Sequence, residues 1–222
     1  MAEIHGMPGE WARVKGMVYG LWPLFLGVFA AGFAFGMTLS YPIFGAALVI
    51  LSLTGCSWAM YRGLRHVDRY YKGARGEERV SAILRSLPDG YHVFNDFATG
   101  SGHVDHVVVG PAGVFAVETK NWSGKVTLEG ERVLVDGRLP DRAPLKQVER
   151  EAAAVKKALS ELGWSGPVTP VLTFASDTFE AKVAELHGSV IINANHLRKS
   201  FDTEKTVIAP PALERLVKLM LG

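Results

Sequence analysis

Hydrophobic and polar positions follow three rhythms along this chain. The first is an unbroken apolar stretch: residues 16 to 61 contain no Asp, Glu, Lys, Arg or His. One membrane span needs about 20 apolar residues, so the stretch is long enough for two. "MTLSYP", residues 37–42, brings turn chemistry in Ser40 and Pro42. It divides the stretch into helices predicted at about 17–36 and 41–61. Gly27, Ala31, Gly32, Ala34, Gly36, Gly45, Ala46 and Ala47 would let two spans approach closely. A cleaved signal peptide fits poorly, because its apolar core is shorter and a second span follows at once. A buried hairpin of a soluble protein would normally keep a charged face.

The second rhythm has helical spacing. Val80, Ile83, Leu84 and Leu87 form a stripe over a helix predicted at about 75–87, which Pro88-Asp89-Gly90 ends. "APLKQVEREAAAVKKALSELG" carries Leu145, Val148, Ala152, Val155, Leu159 and Leu162 on one face, with Gly163 at its end. "PPALERLVKLML" predicts a short closing helix with prolines at its start. The third rhythm alternates, as strands do. Strands are predicted at "YHVFNDF", on both sides of Gly110-Pro111-Ala112-Gly113, at "KVTLEG" and "RVLVDG", at the buried-looking "VTPVLTFAS", and at "SVIINANHL". Helix, strands, helix, strand makes an α/β domain with a mixed central sheet and a helix on either side. The strand after the long helix can pair in parallel, because a helical crossover permits it.

The division is therefore an N-terminal tail at 1–15, an apolar helical hairpin at 16–61, a basic connector at 62–72 and an α/β domain at 73–222. Charge then sets the orientation. Arg13 and Lys15 precede the first span, Arg62, Arg65, Arg69, Lys72 and Arg75 follow the second, and the loop between is uncharged. Positive flanks stay inside, so both termini and the α/β domain are expected in the cytoplasm of a multi-pass cell-membrane protein, with residues 16–61 in the lipid bilayer. The net charge of +2 gives no global nucleic-acid signature. Cys56 is the single cysteine, so no internal disulfide or cysteine cluster can form.

Candidate chemistry lies inside the strands. "HVDHVVVGPAGVFAVETKNWSG", residues 103–124, puts Asp105 in one arm of a hairpin and Glu118 and Lys120 in the other. Strand interiors avoid such residues, and a charge facing a core is costly unless paired or bound. With Pro111-Ala112 as the turn, Gly110 pairs with Gly113 and Asp105 falls opposite Glu118; a bulge at Gly113 would shift this register by one. Glu118 and Lys120 share a face. Hard carboxylate oxygens suit Mg²⁺, and Lys120 could orient a water or stabilise developing negative charge. The plain alternative is an ion pair between Lys120 and a neighbouring carboxylate. Glu77 lies beside the apolar stripe of its helix, whereas Glu78 is expected on the solvated face. Gln147 is on the flank of the later helix. His103 and His106 are expected to turn away from Asp105. Trp122 offers a ring for base stacking, or a cover for one end of the core.

These residues resemble a known family. "GARGEERV", "HVDHVVVGPAGVFAVETKNWSG" and "PLKQVEREAAAVKKAL" are similar to the nuclease-related domain, NERD, of the PD-(D/E)xK nuclease superfamily. The resemblance spans about 73–165. It implies a restriction-endonuclease-like α-β-β-β-α-β core and Mg²⁺-dependent phosphodiester chemistry, with Mn²⁺ as a substitute. Residue by residue it implies catalytic roles for Glu77, Asp105, Glu118, Lys120 and Gln147, with Asp105, Glu118 and Glu77 toward the metal. The expected function is a membrane-anchored, cytoplasm-facing nuclease acting on nucleic acid, with DNA as the expected substrate. The alternative is a weakly active or inactive nucleic-acid-binding or scaffold module tethered to the membrane. The uncharged spans argue against transport.

Overall fold

The computed structural model describes residues 1–201 and 206–222. It resolves into two compact units, residues 11–72 on one hand and residues 1–10 with 73–222 on the other.

The first unit is helical. Helix α1 spans Glu10–Met37 and helix α2 begins at Pro42, with residues 38–41 as the turn between. Proline suits a first helical position, since its missing N–H would have no partner there. Of the small residues that the sequence offers for close packing, Ala34 is buried and Gly27 lies where a Cβ would meet Cys56 Sγ at 2.2 Å. Gly32 and Gly36 have nothing within 4 Å. Phe25, Phe29, Phe33, Phe35 and Ile43 point outward. Among the described residues two helices, α1 and α2, are long and apolar enough to cross a membrane. Helix α2 continues without a break to Arg85, so the connector and the helix expected at 75–87 are one element.

The second unit is a layered α/β domain. Strand β1 is Glu3–His5, β2 His92–Thr99, β3 Gly102–Gly110, β4 Gly113–Lys120, β5 Val126–Glu129, β6 Arg132–Val135, β7 Val168–Phe174, β8 Val183–Leu186 and β9 Ser189–Asn193. Helix α3 is Pro144–Glu161 and α4 is Pro210–Leu221, and a 3-10 helix covers Ala194–Ser200. A seven-stranded mixed sheet runs in the order β1-β2-β3-β4-β7-β9-β8. Strand β4 pairs antiparallel with β3 and parallel with β7, as a helical crossover through α3 allows. Strands β5 and β6 form a separate two-stranded sheet rather than joining the centre. They are short, and only Val126, Val133 and Leu134 are buried.

Residues 1–15 are not simply a tail. Glu3–His5 extend the sheet as a parallel edge strand, with Glu3 opposite His92 and His5 opposite Phe94. The Ala2 and Glu3 amides donate to the Leu87 and Tyr91 carbonyls at 2.9 Å. A three-residue strand carries too short a pattern to register as alternation in a sequence.

Burial follows the predicted stripes. Val80 and Leu84 of α2, with Leu87 just past its end, pack with Val93, Val108, Phe115 and Val117 on one side of the sheet. Ala152, Val155 and Leu159 of α3, with Leu213, Leu216 and Val217 of α4, pack with Val107, Val109, Val114 and Ala116 on the other. Leu145 and Val148 meet Leu172 and Phe174 of β7 and Val126 and Val133 of the small sheet in a third cluster. Gly163 takes φ +85° just after α3, a left-handed conformation that stops a helix at little steric cost in glycine alone.

Candidate active site at the open end of the central hairpin

The hairpin closes as counted from the sequence. Gly110 pairs with Gly113 and no bulge intervenes. The β3–β4 ladder runs to His106↔Val117 and stops there. Beyond it the Thr119 N–H donates to Asp105 Oδ2 at 2.7 Å, so a carboxylate takes over as the amide's partner. The strands part at this end, and the acidic groups collect there.

Glu118 is only 4% exposed, on a central strand. Its Oε1 accepts from Lys120 Nζ in a short ion pair, and from Gln147 Nε2 at 2.7 Å. Lys120 Nζ also donates to Gln147 Oε1 at 2.9 Å. Gln147, expected on a flank of its helix, thus reaches into the cluster and clamps the Glu118–Lys120 pair from α3. Its Nε2 donates further to Glu151 Oε1 at 2.8 Å.

Glu151 is the residue that sequence reasoning missed. A signal existed: it stands four positions after Gln147, one helical turn on the same face, between Val148 and Ala152 of the buried stripe. Among the described residues no donor reaches its buried Oε2. Burial, the Glu118 charge and a proton shared with Glu118 raise its pKa to about 8.

Glu77 arrives from α2. Gly76 makes its approach possible, since a Cβ there would stand 2.7 Å from Asn121 Cβ, just past the end of β4. Burial, then the charges of Glu118 and Asp96, raise Glu77 to about 7, although the Gly9 backbone N–H donates to it. Asp105 is raised well above the usual carboxylate range by burial first, then by Glu118 and Glu77. Lys120 pairs with Glu118, and its positive charge acts on all three raised carboxyls. Glu78 is half-buried rather than solvated.

His106 turns to the other face and is fully buried, with Nδ1 2.7 Å from Asn95 Oδ1, and burial lowers its pKa to about 3. His103 corrects the expectation. It is two positions from Asp105 and so shares its face, and its Nδ1 lies 3.0 Å from Asp96 Oδ1. Asp96, at φ +51° in β2, is a further acid that the alternation pattern did not mark. Trp122 is half-buried with its ring 5.6 Å from that of Phe174, which commits one side of it to the core.

Comparison with known proteins assigns part of the chain to a family. No solved structure matches the chain. An uncharacterized protein of Bacillus anthracis is 36% identical over 66 residues, which is 27% of this chain and 31% of that protein. The chain therefore spans under a third of that relative's length. The family model of the nuclease-related domain matches residues 72–175, the segment that holds Glu77, Asp105, Glu118, Lys120, Gln147 and Glu151. Residues 72–175 thus match the nuclease-related domain, a family of the PD-(D/E)xK-like nuclease superfamily.

Proposed function

We propose that the protein is a membrane-anchored, Mg²⁺-dependent nuclease that hydrolyses phosphodiester bonds, with DNA as its substrate. The observation that carries this reading is the convergence of Glu77, Asp105, Glu118 and Glu151 on one lysine. Burial and mutual repulsion raise the Glu77, Asp105 and Glu151 carboxyls despite the Lys120 charge, and among the described residues no donor reaches Glu151 Oε2. A hard divalent cation fits that deficit and that all-oxygen donor set. Asp105 and Glu118 would hold it, with Glu77 beside them. When bound, such an ion stabilises charge on a phosphodiester and lowers the pKa of a water. The superfamily generally uses divalent metal ions.

The chain's own residues have separable work. Lys120 places a permanent positive charge beside Glu118 and can donate to a phosphoryl oxygen as negative charge builds there. Gln147 holds both members of that pair and fixes where Nζ points. Asp105 is kept in place by the Thr119 amide. In hydrolysis the water oxygen bonds to phosphorus, the bond to the leaving oxygen breaks, and a proton passes from the water side to the leaving group. A carboxyl with a pKa near 7, as at Glu77, can take or give a proton at neutral pH. We read the β2–β3–β4 hairpins, α3 and β7, with the end of α2, as the α-β-β-β-α-β core.

Anchoring is supported by α1 and α2. Residues 1–10 belong to the same compact unit as 73–222, so the hairpin leaves from that unit and returns to it. A two-span hairpin meets that condition with both ends on one side of the bilayer, and the basic flanks assign that side to the cytoplasm. The purified full-length protein in detergent should cleave DNA with Mg²⁺ or Mn²⁺ and not with chelator, with RNA as the comparison substrate. Absence of cleavage of any nucleic acid, together with metal-independent binding, would instead favour a tethered binding module.

A further inference from the structure

We propose that Glu3, His5 and His92 form a second, separate site for a divalent transition-metal ion of zinc-like preference, and that this ion fastens the N-terminal strand to the sheet. The sheet register places the three together. In the parallel β1–β2 pair, Glu3 is opposite His92 and His5 opposite Phe94, so all four side chains stand on one face. His5 Nε2 lies 3.4 Å from His92 Nδ1, and His92 Nδ1 lies 3.5 Å from Glu3 Oε2. One ligand atom from each residue lies within 4.8 Å of the others.

The spacing suits a metal better than it suits a hydrogen bond. N–H···N contacts work best below about 3.2 Å, and the two imidazoles miss that range. Zinc bonds of about 2.0–2.1 Å at tetrahedral angles put neighbouring ligand atoms about 3.3–3.4 Å apart. The rings are also held. His5 stacks on Phe94 at 4.6 Å between centroids and lies within 10° of parallel to His92. The Glu3 side chain is 71% exposed, which leaves a fourth position open to water. Two imidazoles and a carboxylate select zinc, cobalt or nickel over Mg²⁺. The acidic cluster, with oxygen ligands only, has the opposite preference.

The site has something to hold. Its strand leads through Gly6, whose carbonyl accepts from Asn95 Nδ2 at 3.2 Å, to Gly9, whose N–H donates to Glu77. A bound ion would keep that segment, and with it the Gly9 donor, against the domain.

The test uses full-length protein in detergent, stripped with chelator and titrated with Co²⁺. The expected result is the intense visible bands of a four-coordinate cobalt ion, removable by Zn²⁺ and untouched by excess Mg²⁺. They should vanish in His5→Gln/His92→Gln and weaken in Glu3→Gln. Each single histidine change should lower affinity by more than the roughly 10- to 100-fold typical of losing an outer hydrogen-bond partner of a ligand. Zn²⁺ should also slow hydrogen exchange of the Glu3–His5 amides in the wild type only. Weak six-coordinate bands alone, or strong bands that persist in the double variant, would overturn the proposal. Because the wild-type spectrum needs no variant, misfolding of a mutant cannot rescue it.

Discussion

Two polar clusters of this domain invite comparison. One gathers Glu77, Asp105, Glu118 and Glu151 around Lys120 where β3 and β4 part. The other sets Glu3 and two histidines along the β1–β2 edge. The first is buried, rich in oxygen and short of positive charge, and its carboxyls are pushed up by one another. The second is half open to solvent and rich in nitrogen. The difference teaches what each can hold. A buried set of hard oxygens calls for a small divalent ion that polarises a phosphate, whereas an exposed imidazole pair calls for a softer ion that ties two strands together.

The largest effects should come from breaking the first cluster. Asp105→Asn and Glu118→Gln keep size and remove charge from the proposed metal ligands. Each should cut DNA cleavage by about 10³-fold or more, since the ion supplies several kcal/mol at the transition state. Metal titration should show weakened Mg²⁺ binding in both. Full activity in either variant would sink the ligand assignment. Lys120→Ala should be milder, about 10²-fold on the rate, with Mg²⁺ affinity kept, because lysine is no ligand for a hard cation. A loss of Mg²⁺ affinity equal to that of Glu118→Gln would mean that Lys120 only props up the carboxylate.

How legible were these clusters in the sequence? The hairpin register was readable because Gly-Pro-Ala-Gly defines the turn and side chains alternate, so Asp105 and Glu118 could be set opposite one another by counting. Helical phase brought Glu77 to the sheet. Counting failed where tertiary packing decides. Gln147 looked like a surface residue and is the clamp. Glu151, a turn later, is marked in the sequence only by its helical phase. The compact units divide between Lys72 and Gly73, within a helix that runs unbroken from Pro42 to Arg85. His103, two positions from Asp105, lies on its face, and β1 is too short to show an alternating pattern. The edge cluster depends wholly on that unseen strand, since residues 3 and 92 meet only through the parallel pairing.

A smaller effect sharpens the comparison through pH. Glu77 and Glu151 have folded pKa values of about 7 and about 8, against 4.5 for the unconstrained side chain. Between those values the folded state holds more protons than the unfolded one. Stabilisation from these groups is therefore complete below about pH 4.5 and is lost as pH rises through 7 to 8. Melting temperature in chelator should fall from pH 5 to pH 8.5. Mg²⁺ binding requires charged carboxylates and strengthens over the same range, so the gap between Mg²⁺ and chelator melts should widen with pH. A gap that stays constant across that range would show that these carboxyls do not take up the ion.

The smallest effect isolates Glu151. Its Oε1 accepts from Gln147, no donor among the described residues reaches its buried Oε2, and the carboxyl shares a proton with Glu118 when one is present. Glutamine has the same shape, carries no charge and brings an N–H to the position of that proton. Glu151→Gln should therefore imitate the protonated side chain. In chelator at pH 8.5 it should raise the melting temperature by a few degrees, about 2–4 °C for each kcal/mol in a domain of this size. At pH 5.5 it should change little, because the wild-type carboxyl is already protonated there. The Mg²⁺-induced shift should survive, since Asp105, Glu118 and Glu77 remain. Thermal melts at the two pH values, with and without Mg²⁺, read all three outcomes. If the Mg²⁺ shift disappears with the charge, Glu151 is itself a ligand and the metal sits nearer α3 than the hairpin. If the variant is destabilised at pH 8.5, the Glu151 carboxylate has a cationic partner, and the picture of a cluster starved of positive charge is wrong.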